Sequence, residues 1–176
     1  MITTVTKISI IGGPGTGKST LANNLGKTLN LPIYHIDGIH HLENWQIRDK
    51  SDRDKIILDT IKTSKWIMDG TYSSTLEMRV ESSDMIIFLN FSTFARLKGI
   101  LARYFKNRNK ERVEIPGCKE RMTLEFLKFT INWNKTKGKN INSVLEKYKN
   151  KKILIFTNRK QLNKWYKKEF GKKIEI

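Results

Sequence analysis

Residues 8–20 of this chain read Ile-Ser-Ile-Ile-Gly-Gly-Pro-Gly-Thr-Gly-Lys-Ser-Thr, and this stretch decides the fold. A short apolar run ends at a glycine-rich turn, and leucine and alanine at helical spacing follow the turn. The turn contains the pattern Gly-x-x-x-x-Gly-Lys-Ser over residues 12–19, which is the phosphate-binding loop (P-loop) that joins a strand to a helix. The sequence therefore predicts a strand, a loop that binds nucleotide phosphates, and a helix.

Each residue type in this loop suits contact with a polyphosphate. Glycine allows the positive φ and the close backbone approach that let several N–H groups point at one anion. Lys18 is a cation that can reach the β- and γ-phosphates, and the Ser19 hydroxyl is a Mg²⁺ ligand. The helix that follows adds free N–H groups and the positive end of its dipole. We therefore predict an ATP and Mg²⁺ site. The predicted nucleotide contacts in the loop are Gly12, Gly13, Pro14, Gly15, Thr16, Gly17, Lys18, Ser19 and Thr20.

The composition is that of a globular protein with a basic surface. Lys and Arg number 34 against 17 Asp and Glu, which gives a net charge of +17. This balance attracts nucleotides, phosphorylated substrates or, non-specifically and in a salt-dependent way, nucleic acid. The single cysteine, Cys118, excludes an internal disulfide. With no signal pattern and no apolar run near the about 20 residues that span a bilayer, we expect a cytoplasmic protein without membrane contact.

The rest of the chain alternates strand and helix patterns, which predicts an α/β fold. Strand patterns lie at residues 5–11, 32–36, 65–70, 84–91 and 153–156. Their alternation with helical patterns predicts a three-layer α/β/α P-loop NTPase domain over residues 1–176, with a five-stranded parallel sheet. Ser51 is the predicted N-cap of the third helix, residues 71–83 are expected to be irregular or loosely helical, and a break is expected at residues 138–142.

Residues 107–121 are charged and have no regular apolar period. We predict that this insertion is a small helical lid, a mobile flap that closes over ATP and excludes water, as lids do in phosphate-transferring enzymes.

Acidic residues follow two of the predicted strands. Asp37 comes just after the second strand and Asp69 ends the third, and ligands of open α/β sheets bind at these carboxyl ends. We predict that Asp69 holds the metal with Ser19, and that Asp37 accepts a hydroxyl proton or orients the acceptor. A turn-forming Asp before glycine is the alternative for each. Three nearby histidines match no zinc template and are interpreted as loop residues: His35, His40 and His41.

Arginine forms planar, bidentate contacts with phosphate oxygens. The arginines predicted to contact phosphates are Arg79, Arg103, Arg108 and Arg112. Arg103 is a candidate to neutralise transition-state charge or to stack on adenine, and Arg159, after the last strand, to line the adenine pocket. We predict Lys18, Asp37 and Arg103 as catalytic. The predicted substrate contacts are Asp37, Arg79, Arg108 and Arg112. A solvated surface role is the alternative for each arginine.

Several segments together make the chain resemble the bacterial DNA topology modulation proteins, an adenylate-kinase-like branch of the P-loop NTPases. The matching segments are 12–20, 35–37, Trp45, 66–72, Arg79, Asp84 with the strand after it, and Gly117-Cys118 followed by Phe126. The resemblance covers residues 6 to about 168. It implies a P-loop kinase fold, ATP and Mg²⁺ binding, and phosphoryl transfer to a small acceptor. The chain departs from the family at Asn90, where an acid is usual, and at residues 132–137, where lysine replaces arginine.

The sequence leaves three functions open. The first is a kinase whose acceptor is a nucleoside monophosphate or an unphosphorylated hydroxyl compound. The second is a nucleotide-dependent DNA-binding or regulatory protein that affects DNA topology, although no helix-turn-helix, zinc or RNA-binding signature accompanies the basic charge. The third is a simple ATPase. We favour the kinase, and the sequence does not indicate an oligomeric state.

Overall fold

The protein is described over residues 4–175 by a computed structural model, and its centre is a parallel β-sheet. The strands, in chain order, are β1 Lys7–Gly12, β2 Ile33–His35, β3 Trp66–Asp69, β4 Met85–Leu89, β5 Glu111–Arg112, β6 Ile115–Lys119 and β7 Lys152–Phe156. Five of them form one sheet in the order β2-β3-β1-β4-β7, and every pair in it is parallel. The predicted five-stranded parallel sheet is confirmed.

Helices cover both faces of the sheet. They are α1 Lys18–Leu29, α2 Ile36–His40, α3 Lys50–Lys62, α4 Ser73–Ser82, α5 Thr93–Asn107, α6 Leu124–Trp133, α7 Lys139–Lys147 and α8 Arg159–Phe170, with a 3₁₀ turn at Glu43–Trp45 and a π-helical turn at Asn134–Gly138. Successive strand residues point to opposite faces. Ile10 therefore packs with α1 and α8, while its neighbour Ile11 packs with α4 and α7. This is the predicted three-layer α/β/α arrangement.

The register of the central strand determines which residues meet at the carboxyl edge of the sheet. In β1, Ile10 is paired with Asp69 of β3 on one side and with Ile87 of β4 on the other. His35 of β2 is in turn paired with Asp69. The P-loop, His35 and Asp69 are therefore neighbours at this edge.

The opposite edge of the sheet is fastened by Asp84. Its carboxylate accepts hydrogen bonds from the backbone N–H groups of Thr6 (2.9 Å) and Lys7 (2.8 Å) and from the Thr6 hydroxyl. Partial burial favours the neutral acid, but these hydrogen bonds hold the pKa of Asp84 below its usual range. The contacts join the start of β1 to the start of β4.

The structure corrects the prediction of a helical lid. Within residues 107–121, β5 and β6 form an antiparallel hairpin. A helix is disfavoured at this point by Pro116 and by Gly117, which has a φ of 74°. Ile115 and Cys118 of β6 are buried, and their burial stabilises the strand instead.

Three local predictions also differ from the structure. No helix break occurs at residues 138–142, because Gly138 has helical angles (φ −61°, ψ −40°) and Ile141 is buried in the core beyond it. The third helix is capped by Asp49, whose carboxylate accepts from the Ser51 backbone N–H at 2.7 Å, and not by Ser51. Residues 73–82 form a regular helix.

Among residues 4–175, none of the helices combines the length and hydrophobicity that a membrane span requires.

Candidate active site

A cleft of about 1600 Å³ opens at the carboxyl edge of the parallel sheet. Its lining includes two groups of residues. The P-loop side comprises residues 12, 14, 15 and 17–20 with Arg103 and Arg159. The hairpin side comprises Asp37, Trp45, Arg53, Tyr72, Arg112, Glu120 and Arg121.

The P-loop side is shaped by backbone conformation. Gly15 and Gly17 have φ values of 75° and 88°, in the left-handed region that favours glycine. Thr16 is buried below the loop and its hydroxyl donates to the Gly13 carbonyl at 2.9 Å. The Lys18 ammonium donates to the same carbonyl at 3.0 Å. Burial lowers the pKa of Lys18, and nearby Asp37 and Asp69 oppose that shift.

A chain of polar contacts joins Ser19 to the ends of β2 and β3. The Ser19 hydroxyl donates to Asp69 Oδ2 at 2.7 Å, while His35 Nδ1 lies 2.5 Å from Asp69 Oδ1. The other ring nitrogen of His35 lies 3.1 Å from Asn23 Oδ1. Burial opposes the charged imidazole, but the contact with Asp69 raises the pKa of His35 overall. His35 therefore fixes Asp69, a role that its interpretation as a loop residue missed.

The residues around Ser19 fit a bound Mg²⁺. Magnesium prefers oxygen ligands and usually keeps several waters, with one or two carboxylates and substrate phosphates completing its shell. Ser19 and Asp69 supply a hydroxyl and a carboxylate side by side at the end of the P-loop. In the described part of the chain, no three His, Cys, Asp or Glu side chains converge as a self-sufficient metal cage.

Asp37 faces the cleft from the first turn of α2. Its Oδ1 accepts a hydrogen bond from the Tyr72 hydroxyl at 3.1 Å. Burial favours the neutral acid, but Lys18 and Arg112 outweigh it and lower the pKa of Asp37. Burial, together with the Asp37 charge, raises the pKa of Tyr72. Asp37 is therefore a carboxylate and Tyr72 a neutral phenol at neutral pH.

A buried acid, Glu120, lies between two arginines of the cleft. Its Oε2 is 3.0 Å from Arg103 Nε on α5 and 3.8 Å from Arg112 Nε on β5. Only 1% of the Glu120 side chain is exposed, yet neither of its oxygens has a partner with hydrogen-bond geometry. Burial and Arg112 lower the pKa of Arg103, and Glu120 opposes that shift. Glu120 thus links the two sides of the cleft by charge.

The hairpin is fastened to the loop around Trp45. The Trp45 indole N–H donates to the Lys119 carbonyl at 3.0 Å, and its backbone N–H donates to Cys118 Sγ at 3.2 Å. The buried Cys118 thiol donates in turn to the Leu42 carbonyl at 3.1 Å. The Arg121 guanidinium stacks 4.2 Å from the Trp45 ring. These contacts position the hairpin over the cleft.

The predicted arginines separate into two groups. Arg103, Arg112 and Arg159 line the cleft, and Arg159 Nη2 approaches the Thr16 carbonyl at 3.5 Å. Arg79 corrects its prediction as a substrate contact. Its side chain is fully buried, donates to the carbonyls of Gly70 (3.1 Å) and Tyr72 (3.4 Å), and burial lowers its pKa to about 10. Arg79 therefore holds the turn after β3.

Arg108 is the second correction. It is exposed where α5 ends and lies outside the set of residues that line the cleft, because the chain turns there into the hairpin. Arg108 therefore does not line the cleft in which its substrate contact was predicted.

The sequence reasoning also missed Arg96. Its fully buried side chain lies under the P-loop, with its guanidinium 4.9 Å from the Trp133 ring and Nη2 donating to the Thr93 hydroxyl at 2.8 Å. A Cβ added to Gly13 would lie 2.6 Å from Cδ and from Nη1 of the Arg96 side chain. The sequence does contain one indication of its position, because Arg96 lies seven residues before Arg103 and so shares a face of α5 with it.

One family model and several solved structures match this chain. Residues 8–89 match the ATPase family associated with various cellular activities (AAA). The shikimate kinase from Acinetobacter baumannii, solved in complex with shikimate, is 18% identical, with a TM-score of 0.56 over 99% of this chain and 98% of that one. This chain has the P-loop kinase fold.

Two further structures agree with this P-loop kinase fold. Shikimate kinase from Bacteroides thetaiotaomicron is 17% identical, with a TM-score of 0.51 over 94% of this chain and 96% of that one. Deoxyadenosine kinase from M. mycoides is 19% identical, with a TM-score of 0.50 over 85% and 89%. No curated protein matches the chain by sequence. The more specific resemblance to DNA topology modulation proteins stays a prediction.

Proposed function

We propose that this protein is an ATP-dependent kinase that transfers the γ-phosphoryl group to a small-molecule acceptor. The observation that carries the proposal is the arrangement of charge in one cleft. Lys18 and Ser19 lie on the P-loop side, with the buried Asp69 hydrogen-bonded to Ser19, and the carboxylate of Asp37 faces them from the hairpin side. Phosphoryl transfer needs mainly positioning and neutralisation of charge, and this cleft offers both.

Each residue of the P-loop side has a part in this proposal. The loop amides and Lys18 bind the β- and γ-phosphates, and Arg159, beside Gly17, lies near the nucleotide. Ser19 and Asp69 would hold Mg²⁺, and His35 fixes the Asp69 carboxylate from the other side. Mg²⁺, when bound, would offset the negative charge of the phosphates. Arg103 is placed to neutralise charge on the transferred group.

The hairpin has a second part, which is the exclusion of water. Kinases protect ATP from hydrolysis by covering the reacting phosphate. Residues 111–119 lie over the hairpin side of the cleft and are fastened to it by Trp45 and Cys118. This arrangement supports a kinase over a simple ATPase, for which rapid hydrolysis without an acceptor would be expected.

Substitution of Lys18 tests the proposal. We expect Lys18→Ala to lower Mg²⁺-dependent ATP turnover by several orders of magnitude, because a point charge on the transferred phosphate is lost. The matched control is Lys62→Ala, at an exposed lysine on α3 that is paired with Asp59. Turnover would be measured as ADP release and binding of ATP by calorimetry. Lys18→Ala turnover at the wild-type rate would contradict the proposed function.

The net charge of +17 supports a second candidate, a nucleotide-dependent DNA-binding protein of the DNA topology modulation type. Binding through phosphate contacts weakens steeply as salt rises and shows little sequence preference. Measurement of DNA affinity at two salt concentrations, with and without Mg²⁺ and ATP, separates the candidates. A kinase should show no effect of ATP on DNA affinity, whereas a regulatory protein should show a clear one.

A further inference from the structure

The acceptor of a kinase is either a phosphate or an alcohol, and the two make opposite demands on the protein. A phosphate acceptor is already ionised and attacks without losing a proton, so it needs cations and is repelled by a neighbouring carboxylate. An alcohol is neutral and must lose its proton as it attacks, so it needs a base within hydrogen-bond reach. The charges around the acceptor position therefore distinguish the two classes.

Asp37 provides the first half of this distinction. Its carboxylate faces the cleft close enough to Lys18 for each to shift the pKa of the other. Tyr72 donates to Oδ1 and, as a neutral phenol, leaves the negative charge in place. An ionised carboxylate thus faces the place where the γ-phosphate lies in the proposed kinase. It would repel an incoming phosphate and attract a hydroxyl group.

Two of the three arginines of the hairpin side provide the second half, and the third, Arg121, stacks on Trp45. Arg112 lies between Glu114 (3.9 Å) and Glu120 (3.8 Å), so two acids offset its charge, while its Nε makes no hydrogen bond. Arg53 is paired with Asp54 at 2.7 Å and also donates to the Ser74 hydroxyl at 3.0 Å. Each of these guanidinium groups therefore already faces an acid of the protein, which weakens its attraction for a phosphate acceptor.

The surface around Asp37 is rich in rings. Tyr72, which is hydrogen-bonded to Asp37, lines the cleft together with Trp45 and with Phe126 and Phe129 of α6. Burial lowers the pKa of His40 and of His41, so these imidazoles are neutral at neutral pH and can exchange hydrogen bonds with hydroxyl groups. Apolar rings with a few neutral polar groups suit a neutral organic body better than a second phosphate.

We propose that the acceptor is an alcohol and that Asp37 takes its proton. This inference rests on the proposed kinase function. The hydroxyl oxygen forms a bond to the γ-phosphorus, and the bond between that phosphorus and the β,γ-bridging oxygen breaks. The alcohol proton moves to the Asp37 carboxylate, ADP leaves, and the product is a phosphate monoester. Tyr72 keeps its proton and holds the Asp37 carboxylate toward the acceptor.

The product identifies the acceptor class directly. The intact protein is incubated with Mg²⁺ and ATP and with one of two panels, either polyols, hydroxy acids and nucleosides or nucleoside and sugar monophosphates. Phosphorus NMR separates a new phosphate monoester from a new phosphoanhydride. We expect a monoester from the first panel. A phosphoanhydride formed from the second panel would overturn the inference while leaving the kinase function intact.

A second measurement needs no knowledge of the acceptor, because water is the smallest hydroxyl acceptor. We expect Asp37→Asn to lower acceptor-free ATP hydrolysis by about 100-fold, which is the low end of the effect of a general base. The amide can still accept from Tyr72, and thermal unfolding together with ATP binding checks that the variant is folded. Asp59→Asn, at an exposed acid on α3, is the matched control.

The outcomes separate the two proposals. Hydrolysis by Asp37→Asn at or above the wild-type rate, with ATP binding intact, would overturn the assignment of Asp37 and of the alcohol acceptor. If the wild-type protein instead showed no ATP binding or turnover that depends on Lys18, the kinase function itself would be overturned.

Discussion

The two sides of the cleft are built in different ways. The P-loop side depends on backbone angles within a few consecutive residues, with Gly15 and Gly17 in the left-handed region. The hairpin side depends on side chains from separate segments of the chain, among them Asp37, Tyr72 and Arg112. The first arrangement tolerates almost no change in shape, whereas the second can change its charges and rings while keeping its shape. Binding of ATP and choice of acceptor are therefore separable properties.

The largest effect is expected where an added methyl group breaks the P-loop side. A Cβ on Gly15 would lie 2.2 Å from the Arg96 carbonyl oxygen, and the φ of 75° is unfavourable for alanine. We expect Gly15→Ala to abolish ATP binding, measured by calorimetry. Gly171→Ala is the matched control, since Gly171 has a φ of 70° but nothing within 4 Å of the added Cβ. It should cost about 1 kcal/mol of stability and leave binding unchanged. Equal losses of ATP binding in both variants would show that the positive φ, and not the contact with the Arg96 carbonyl, causes the loss.

An intermediate effect is expected where the two sides meet. Glu120→Gln removes the acid between Arg103 and Arg112, so two cations remain close together in a mostly buried place. We expect a loss of about 2 kcal/mol in the free energy of unfolding, below the usual cost of breaking a buried pair because Arg103 is partly exposed.

Bound ATP should reduce this loss in Glu120→Gln, since its phosphates supply the missing negative charge. Thermal unfolding with and without Mg²⁺ and ATP measures both quantities. The increase in Tm on adding ATP should be larger for Glu120→Gln than for the wild type. The same increase in both proteins would mean that Arg103 does not contact the nucleotide.

The smallest effect is expected far from both sides, at Asp84. The folded state lowers the pKa of this carboxyl, so its contribution to stability is present above the unfolded pKa and is lost as pH falls through the folded pKa. We expect Asp84→Asn to cost about 1 kcal/mol at pH 7, because Asp84 is largely exposed. The difference from wild type should shrink below about pH 4. Urea unfolding across pH measures it, and any change in ATP affinity would contradict the separation of this edge from the cleft.

Most of the sheet could be predicted from sequence because each strand is a compact apolar run. The hairpin could not, since β5 has two residues and is stabilised by docking of its partner strand on Trp45, which lies far away in the sequence. The helix across Gly138 was missed for a related reason. Burial of Ile141 and Trp133 outweighs the weak helix propensity of that glycine.

The two sides of the cleft also differed in how well they could be predicted. The contacts of the P-loop are local, so a pattern of eight residues describes them. Asp37 and Asp69 could be placed because both follow strands of one parallel sheet. Glu120 and His35 could not be assigned roles, because their importance depends on partners such as Arg103 and Asp69 that only the tertiary structure brings near. The buried Arg79 was misjudged for the same reason.

The position of β1 in the middle of the sheet has a consequence for how the chain is made. This strand leaves the ribosome before its neighbours β3 and β4, which end only at Asp69 and Leu89. Until they emerge, both hydrogen-bonding edges of a mostly apolar strand have no partner, which is the condition under which nascent chains associate with one another. Slow translation before residue 89 should therefore lower the yield of native protein more than slow translation after it.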